Sequence, residues 1–355
     1  MNTISSRLMT ALTLWAGLGA VASAAEVNIT AKGHAFNPVW SPDGQWLAFE
    51  LNNYQGSIEL YVVKVQGGTP MGSPTKMVVP GASSSFSTAA SVAAAPAWHP
   101  KNQLIFEGSA AGGNSRLYFW APGGQTASEL LSATQAKDDL TWPSISPDGK
   151  MVAFVGSSTG QGDVYFWDRN TNAVTQAFTS PFSEMAPRYA PTSTELAYSR
   201  KNQGGEDLFV WSAGANTPRI GGNGDQSRPV WSGTSVVFYT NERGDDRWDV
   251  AVSKGAGDKQ ILAKDIRLPQ RAAPAISPNG QWVAYGVTTP EKADAIFLTK
   301  VDGSATVEIN TSFVAAGEPS LVNAGGRTWL AFTALPSNSA DWRGLHIIDV
   351  TDKVK

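Results

Sequence analysis

Apolar runs a few residues long recur along the chain, each closed off by Gly, Pro, Asn or Asp. The clearest case is residues 37–49, NPVWSPDGQWLAF. It predicts a strand, a tight turn and a second strand that ends on an aromatic. Pro42 presets φ near −65°, Asp43 can bond its own backbone, and Gly44 supplies the positive φ that closes the reversal. The apolar residues Trp46 to Phe49 suit a pleated strand buried on both faces.

The same pattern returns six more times. The prolines that open the units are 38, 96, 143, 187, 229, 274 and 319, at steps of 58, 47, 44, 42, 45 and 45. Each is followed by an apolar strand ending on an aromatic, as in residues 104–106, 152–154, 196–198, 236–239, 283–285 and 330–332. A third strand follows, as in residues 58–65, 117–120, 164–167, 208–211, 250–254, 296–298 and 345–348. A period in the mid-forties with three clear strands and a weaker fourth is the arithmetic of a propeller blade. The reading is an all-β, seven-bladed β-propeller of four-stranded antiparallel blades, with six blades as the alternative. Its units begin near residues 34, 94, 139, 184, 225, 270 and 315.

The fourth strands are faint, as in residues 173–178 and 306–310, which fits a half-exposed outer edge. Unit seven lacks one before the chain ends, whereas an orphan strand pattern, EVNIT at residues 26–30, precedes unit one. The economical solution has residues 26–30 completing the last blade and covering its edge. The long first step comes from residues 70–95, rich in Ser, Ala and Gly, which read as an inserted flexible loop.

Residues 1–24 differ in kind. Arg7 is followed by an apolar stretch over residues 8–21 without an acidic residue, then by Ala22-Ser23-Ala24. This reads as a secretory signal peptide cleaved near Ala24, leaving residues 25–355 as one domain. No other stretch reaches the ~18 apolar residues of a membrane span. The chain has no cysteine, so disulfides and thiolate chemistry are excluded. A net charge of −3 argues against nucleic acid. The expected product is a periplasmic or secreted monomer stabilised by its core alone.

The sequences NPVWSPDGQWLAF, WPSISPDGKMVAF and APAISPNGQWVAY resemble the WD-repeat-like propeller repeats of the TolB-type family. The likeness spans residues 34–353, and units two, four, five and seven keep the proline and the aromatic but lose parts of the turn. The resemblance implies a propeller of the bacterial envelope acting by contact with a protein or peptide. The family's namesake carries an N-terminal α/β domain and six blades, and this chain is expected to depart from it in both respects.

Candidate chemistry is sparse. The three histidines, His34, His99 and His346, occupy different places in their units and need not converge on a metal. No Gly-x-Ser-x-Gly elbow occurs, so a hydrolase like the prolyl oligopeptidases is disfavoured. A lyase that holds a metal with several histidines is disfavoured by their shortage, and the alternative function is a carbohydrate-binding or polysaccharide-cleaving propeller, lyase- or glycosidase-like. No cofactor or metal is expected. Trp40, Trp98 and Trp231 share one repeat position, and Trp120, Trp167 and Trp211 another, which points to packing between blades. The loops before the opening prolines supply Asn37, Asp139, Glu184, Arg228, Arg271 and Glu318 to one mouth of the fold. Tyr54, Arg243 and Trp248 join them from the loops between second and third strands. Residues 241–249 carry the densest charge and read as a solvated, self-paired loop. The mixed rim is the expected docking surface, with Trp342 as a further loop aromatic.

Overall fold

The computed structural model describes residues 24–54, 57–79, 92–110, 113–124, 126–131, 138–244 and 246–355. The signal-peptide reading falls on residues 1–24, nearly all of them outside this set. Among the described residues twenty-eight strands are arranged as five four-stranded sheets and one eight-stranded sheet. The larger sheet holds two units joined by a single parallel pair, Ile58 with Val92.

In chain order the innermost strands are His34–Trp40, Val92–Trp98, Leu140–Ile145, Glu184–Tyr189, Gln226–Ser232, Ala275–Ile276 and Val314–Ala324. Within each unit the strands run antiparallel from inside to outside, as His34–Trp40, Trp46–Asn52, Ile58–Gln66 and Thr69–Lys76 do in the first. The second strand is the most buried because both its faces meet neighbouring units. Phe49, Phe106, Phe154, Tyr198, Phe238 and Phe332 are each nearly or wholly excluded from solvent there.

Seven apolar clusters hold the units together, one at each successive interface. Ala48, Leu60 and Val62 of the first unit meet Leu104 and Phe106 of the second. The last cluster brings Trp40, Leu47 and Phe49 of unit one against Val322, Ala331 and Ile347 of unit seven. The first and last units are therefore neighbours in the core.

The Ser-Pro-Asp-Gly turn explains its own repetition. Ser41 Oγ donates to Asp43 Oδ1 at 2.6 Å and accepts from the Trp46 amide at 2.9 Å. Ser146 with Asp148 and Ser277 with Asn279 repeat the arrangement. Gly149 has φ +73°, and a Cβ there would sit 2.1 Å from His99 Nε2 of the preceding unit. Glycine is required twice over, by the turn and by the neighbour. His99 is therefore architectural: its Nδ1 accepts from the Lys101 amide, so its Nε2–H faces Gly149 O at 3.2 Å.

Two sequence expectations shift. The strand completing unit seven is Ala25–Glu26, paired with Ile347 and His346, rather than residues 26–30. Val27 adds one bond to Leu345 O and is itself buried between units one and seven. The stretch 70–95 is not all loop: Thr69–Lys76 is the fourth strand of unit one and Val92–Trp98 opens unit two. Residues 80–91 lie outside the described set.

Candidate functional site

Every inner strand except that of unit six breaks register at its opening proline. The shifts fall between Phe36 and Val39, Ala94 and Ala97, Thr141 and Ser144, Met185 and Arg188, Ser227 and Val230, and Gly317 and Ser320. The residue before the proline takes a positive φ each time: Asn37 47°, Ala95 50°, Trp142 54°, Ala186 51°, Arg228 52° and Glu318 49°. These are β-bulges built around a left-handed residue, each costing about 1 kcal/mol. A bulge also takes an amide N–H out of the ladder, and a buried one needs an acceptor.

Buried carboxylates of the preceding unit supply it. Glu50 of unit one accepts from the Ala95 amide at 2.9 Å, and Glu107 of unit two accepts from the Trp142 amide at 3.3 Å. Glu318 of unit seven takes the Asn37 amide and the Gln270 amide, the latter at 2.7 Å. Asn37 in turn donates its side-chain amide to Glu50 at 2.5 Å. Burial pushes the Glu50 carboxyl up to about 7, against the pull of Arg271 and Asn37. Burial raises Glu318 as well, opposed by its two amide donors and by Arg343 and Arg228.

The bulges line a cavity of about 320 Å³ shared by units one, two, three, four, six and seven. Its walls include Pro38, Pro96, Pro143, Pro274 and Pro319, so five of the seven opening prolines that mark the period in sequence also face this space. Residues 267–274, between units five and six, cross its edge. Arg228 holds Pro269 O at 2.6 Å, the Gln270 amide meets Glu318, and Arg271 reaches into the cavity to pair with Glu107. The Arg271 guanidinium lies 5.8 Å from the centre of the Trp142 ring. Arg188 enters from unit four, its Nη1 donating to Pro187 O at 3.1 Å and Pro143 O at 3.4 Å.

Of the residues expected at one mouth, Asn37, Arg228, Arg271 and Glu318 come together around this cavity. The others have separate posts. Asp139 is exposed and accepts from the Ser115 amide at 2.6 Å. Glu184 is buried in a pair with Arg200 at 3.0 Å, because it opens its strand opposite Arg200. Arg243 is held by Asp249 at 2.5 Å and Asp265 at 2.8 Å. Trp248 packs half-buried on the cluster between units five and six, since the loop folds back onto that interface. Tyr54 is 65% exposed and stands edge-on to His34, which also meets Trp342 at 5.1 Å. His346 is buried and stacked on Phe313 at 3.8 Å, and burial holds it down to about 4. Among the described residues no group of three His, Asp or Glu is placed to hold a metal ion.

Sequence reasoning missed Glu50, Glu107, Trp142 and Arg188. Their signal lay in comparing units with one another. The residue after the strand-ending aromatic is Glu50, Glu107, Val155, Ser199, Tyr239, Gly286 and Thr333 in turn. Only two units place an acid at a position that is buried in all the units.

Residues 18–235 and 133–322 match, in two overlapping registers, the family model of the TolB beta propeller domain. The chain belongs to that family. Among solved structures, TolB from Acinetobacter baumannii aligns with a TM-score of 0.55 at 19% identity, over 81% of this chain and 66% of that one. An oligogalacturonate lyase from Vibrio parahaemolyticus aligns at 0.61 and 9% identity, over 91% and 92% of the two chains. A puromycin-hydrolyzing peptidase from Mycobacterium tuberculosis aligns at 0.62 and 14% identity, over 90% of this chain and 51% of that one. Such identities speak for the fold alone. No curated protein matches the sequence. The TolB-type units here are all-β, and among the described residues no helix is long and apolar enough to cross a membrane.

Proposed function

We propose that this TolB-type chain is a seven-bladed β-propeller that docks a protein or peptide of the cell envelope at the mouth of its central cavity, without catalysis. One observation carries the reading: strands and connectors of six units converge on one cavity, and the acids beside it each give an oxygen to the scaffold. Glu50, Glu107 and Glu318 serve bulge amides, Arg228 serves carbonyls, and His99 and His346 are spent in packing. A mouth whose acids serve the scaffold, with Tyr54 exposed in a loop of unit one, suits recognition. The cluster joining units one and seven supports closure of seven blades, with Ala25–Glu26 as the last outer strand. The leader pattern supports export to the periplasm or beyond.

The test is affinity capture of the tagged, exported chain from periplasmic extract, followed by gel filtration of the eluate. A protein co-eluting at fixed stoichiometry with the parent and lost with Tyr54→Ala is the expected result. New reducing ends released from polygalacturonate, with no co-eluting protein, would replace this reading with a carbohydrate-cleaving one.

A further inference from the structure

The cavity beneath the mouth is lined by two guanidinia, of Arg188 and Arg271, and among the described residues by no carboxylate. We infer that it is a binding site for an organic carboxylate, gripped between Arg188 and Arg271. The two guanidinia share one landmark, the dipeptide Trp142-Pro143: Arg271 lies over the ring of Trp142 and Arg188 donates to the carbonyl of Pro143. They therefore face the same part of a cavity that both line.

Neither arginine is saturated. Arg188 is held by backbone carbonyls and has no carboxylate partner among the described residues. Burial alone draws it down to about 10, with no nearby acid to oppose the shift. Arg271 gives an Nη to Glu107, while its buried Nε has no partner among the described residues. Around them Arg228, Arg267 and Arg343 also rest on carbonyls, of Pro269, Val287 and Ala315. The nearby acids Glu50, Glu107 and Glu318 each commit an oxygen to a backbone amide.

Guanidinium forks match planar carboxylates, and their hydrogen bonds to an anion are about twice as strong as neutral ones. Most of the rest of the wall is apolar, with Pro38, Pro96, Ile145, Ile276, Pro319 and Leu321 beside polar Asn37, Ser144 and Ser320. A charged head on an apolar body fits such a wall better than an inorganic anion. A volume near 320 Å³ is at the small end of ligand pockets. The carboxylate can belong to a free small acid or to a peptide terminus.

The test is calorimetric titration of the folded chain at pH 7 with benzoate and benzamide, then with N-acetylphenylalanine and its amide. Expected are one-to-one binding of the acids, none of the amides, and affinity at least roughly tenfold weaker in Arg188→Met. Preference for benzoate alone assigns the site to small acids, and equal or better binding of N-acetylphenylalanine to peptide termini. Equal binding of benzoate and benzamide, binding of neither, or undiminished benzoate affinity in a folded Arg188→Met would each overturn the proposal. Arg188→Lys, which keeps the charge, covers the case in which the methionine variant fails to fold: it must retain weakened benzoate binding. Glu50 and Glu318 each keep an oxygen without a partner among the described residues and offer the opposite charge, so preferential binding of benzylamine would also sink it. The titration uses no protein partner and stands even if affinity capture recovers nothing.

Discussion

Arg271 and Glu107 lie 164 residues apart in the chain and form an ion pair inside the cavity, linking the connector before unit six to the second strand of unit two. Glu107 is 3% exposed in its side chain, and its other oxygen serves the Trp142 bulge amide. Removing one partner of such a pair leaves a buried charge, which costs about 3 kcal/mol or more. Arg271→Met is therefore expected to lower the urea midpoint substantially at pH 7. Adding Glu107→Gln should recover most of the loss, because glutamine still accepts from Trp142 without a charge to compensate. If the two losses simply add, the pair contributes nothing and the link across the cavity is incidental.

Glu50 gives the fold a pH dependence of definite sign. Its carboxyl is raised by burial to about 7 from an ordinary value of 4.5, so the folded state keeps a proton that the unfolded state has released. Its stabilising share is complete below about pH 4.5 and is lost as pH rises through about 7. The groups facing it are Asn37, Arg271, Glu318 and the Ala95 amide. Glu50→Gln retains an acceptor for Asn37 and Ala95 and removes the titration. The variant and the parent should have equal stability near pH 4.5, and the variant should be more stable by about 3 kcal/mol at pH 8. Denaturant unfolding at the two pH values measures this. A constant gap between the two proteins would show that Glu50 does not hold the extra proton.

How far the sequence disclosed this molecule depends on which residues repeat. Pro38, Pro143 and Pro274 with their Asp-Gly or Asn-Gly turns recur because each unit must build the same hairpin, so the period and the units were legible. Thr69–Lys76 was not, because an outer strand with exposed faces and prolines at 70 and 74 carries no alternation. At the site, the residues before the prolines stood out by position, and four of them do meet. Glu50 and Glu107 were hidden because an acid after a strand-ending aromatic looks like a strand terminus. Its burial comes from the neighbouring unit's bulge, which no local pattern reports. The link from Arg271 to Glu107 was illegible for the same reason, being set by where a connector crosses the cavity.

The repeated tryptophans make a further prediction about how units lock together. Trp231 Nε1 donates to Arg188 O of the preceding unit at 3.0 Å, and Trp98 Nε1 donates likewise to Val39 O at 2.9 Å. Both acceptors are the residue after the opening proline, so the bond is one device used twice. Trp40 occupies the same repeat position, yet its Nε1 has no partner among the described residues. Trp231 and Trp40 are almost equally buried, at 7% and 6% exposure, so exchange for phenylalanine removes similar apolar area from each. The difference between the two variants then isolates the hydrogen bond. Trp231→Phe is expected to cost about 1 kcal/mol more than Trp40→Phe, since it also leaves Arg188 O without its donor. Equal losses in denaturant midpoint would mean that ring packing alone joins the units, and that the indole bond to the preceding strand adds no stability.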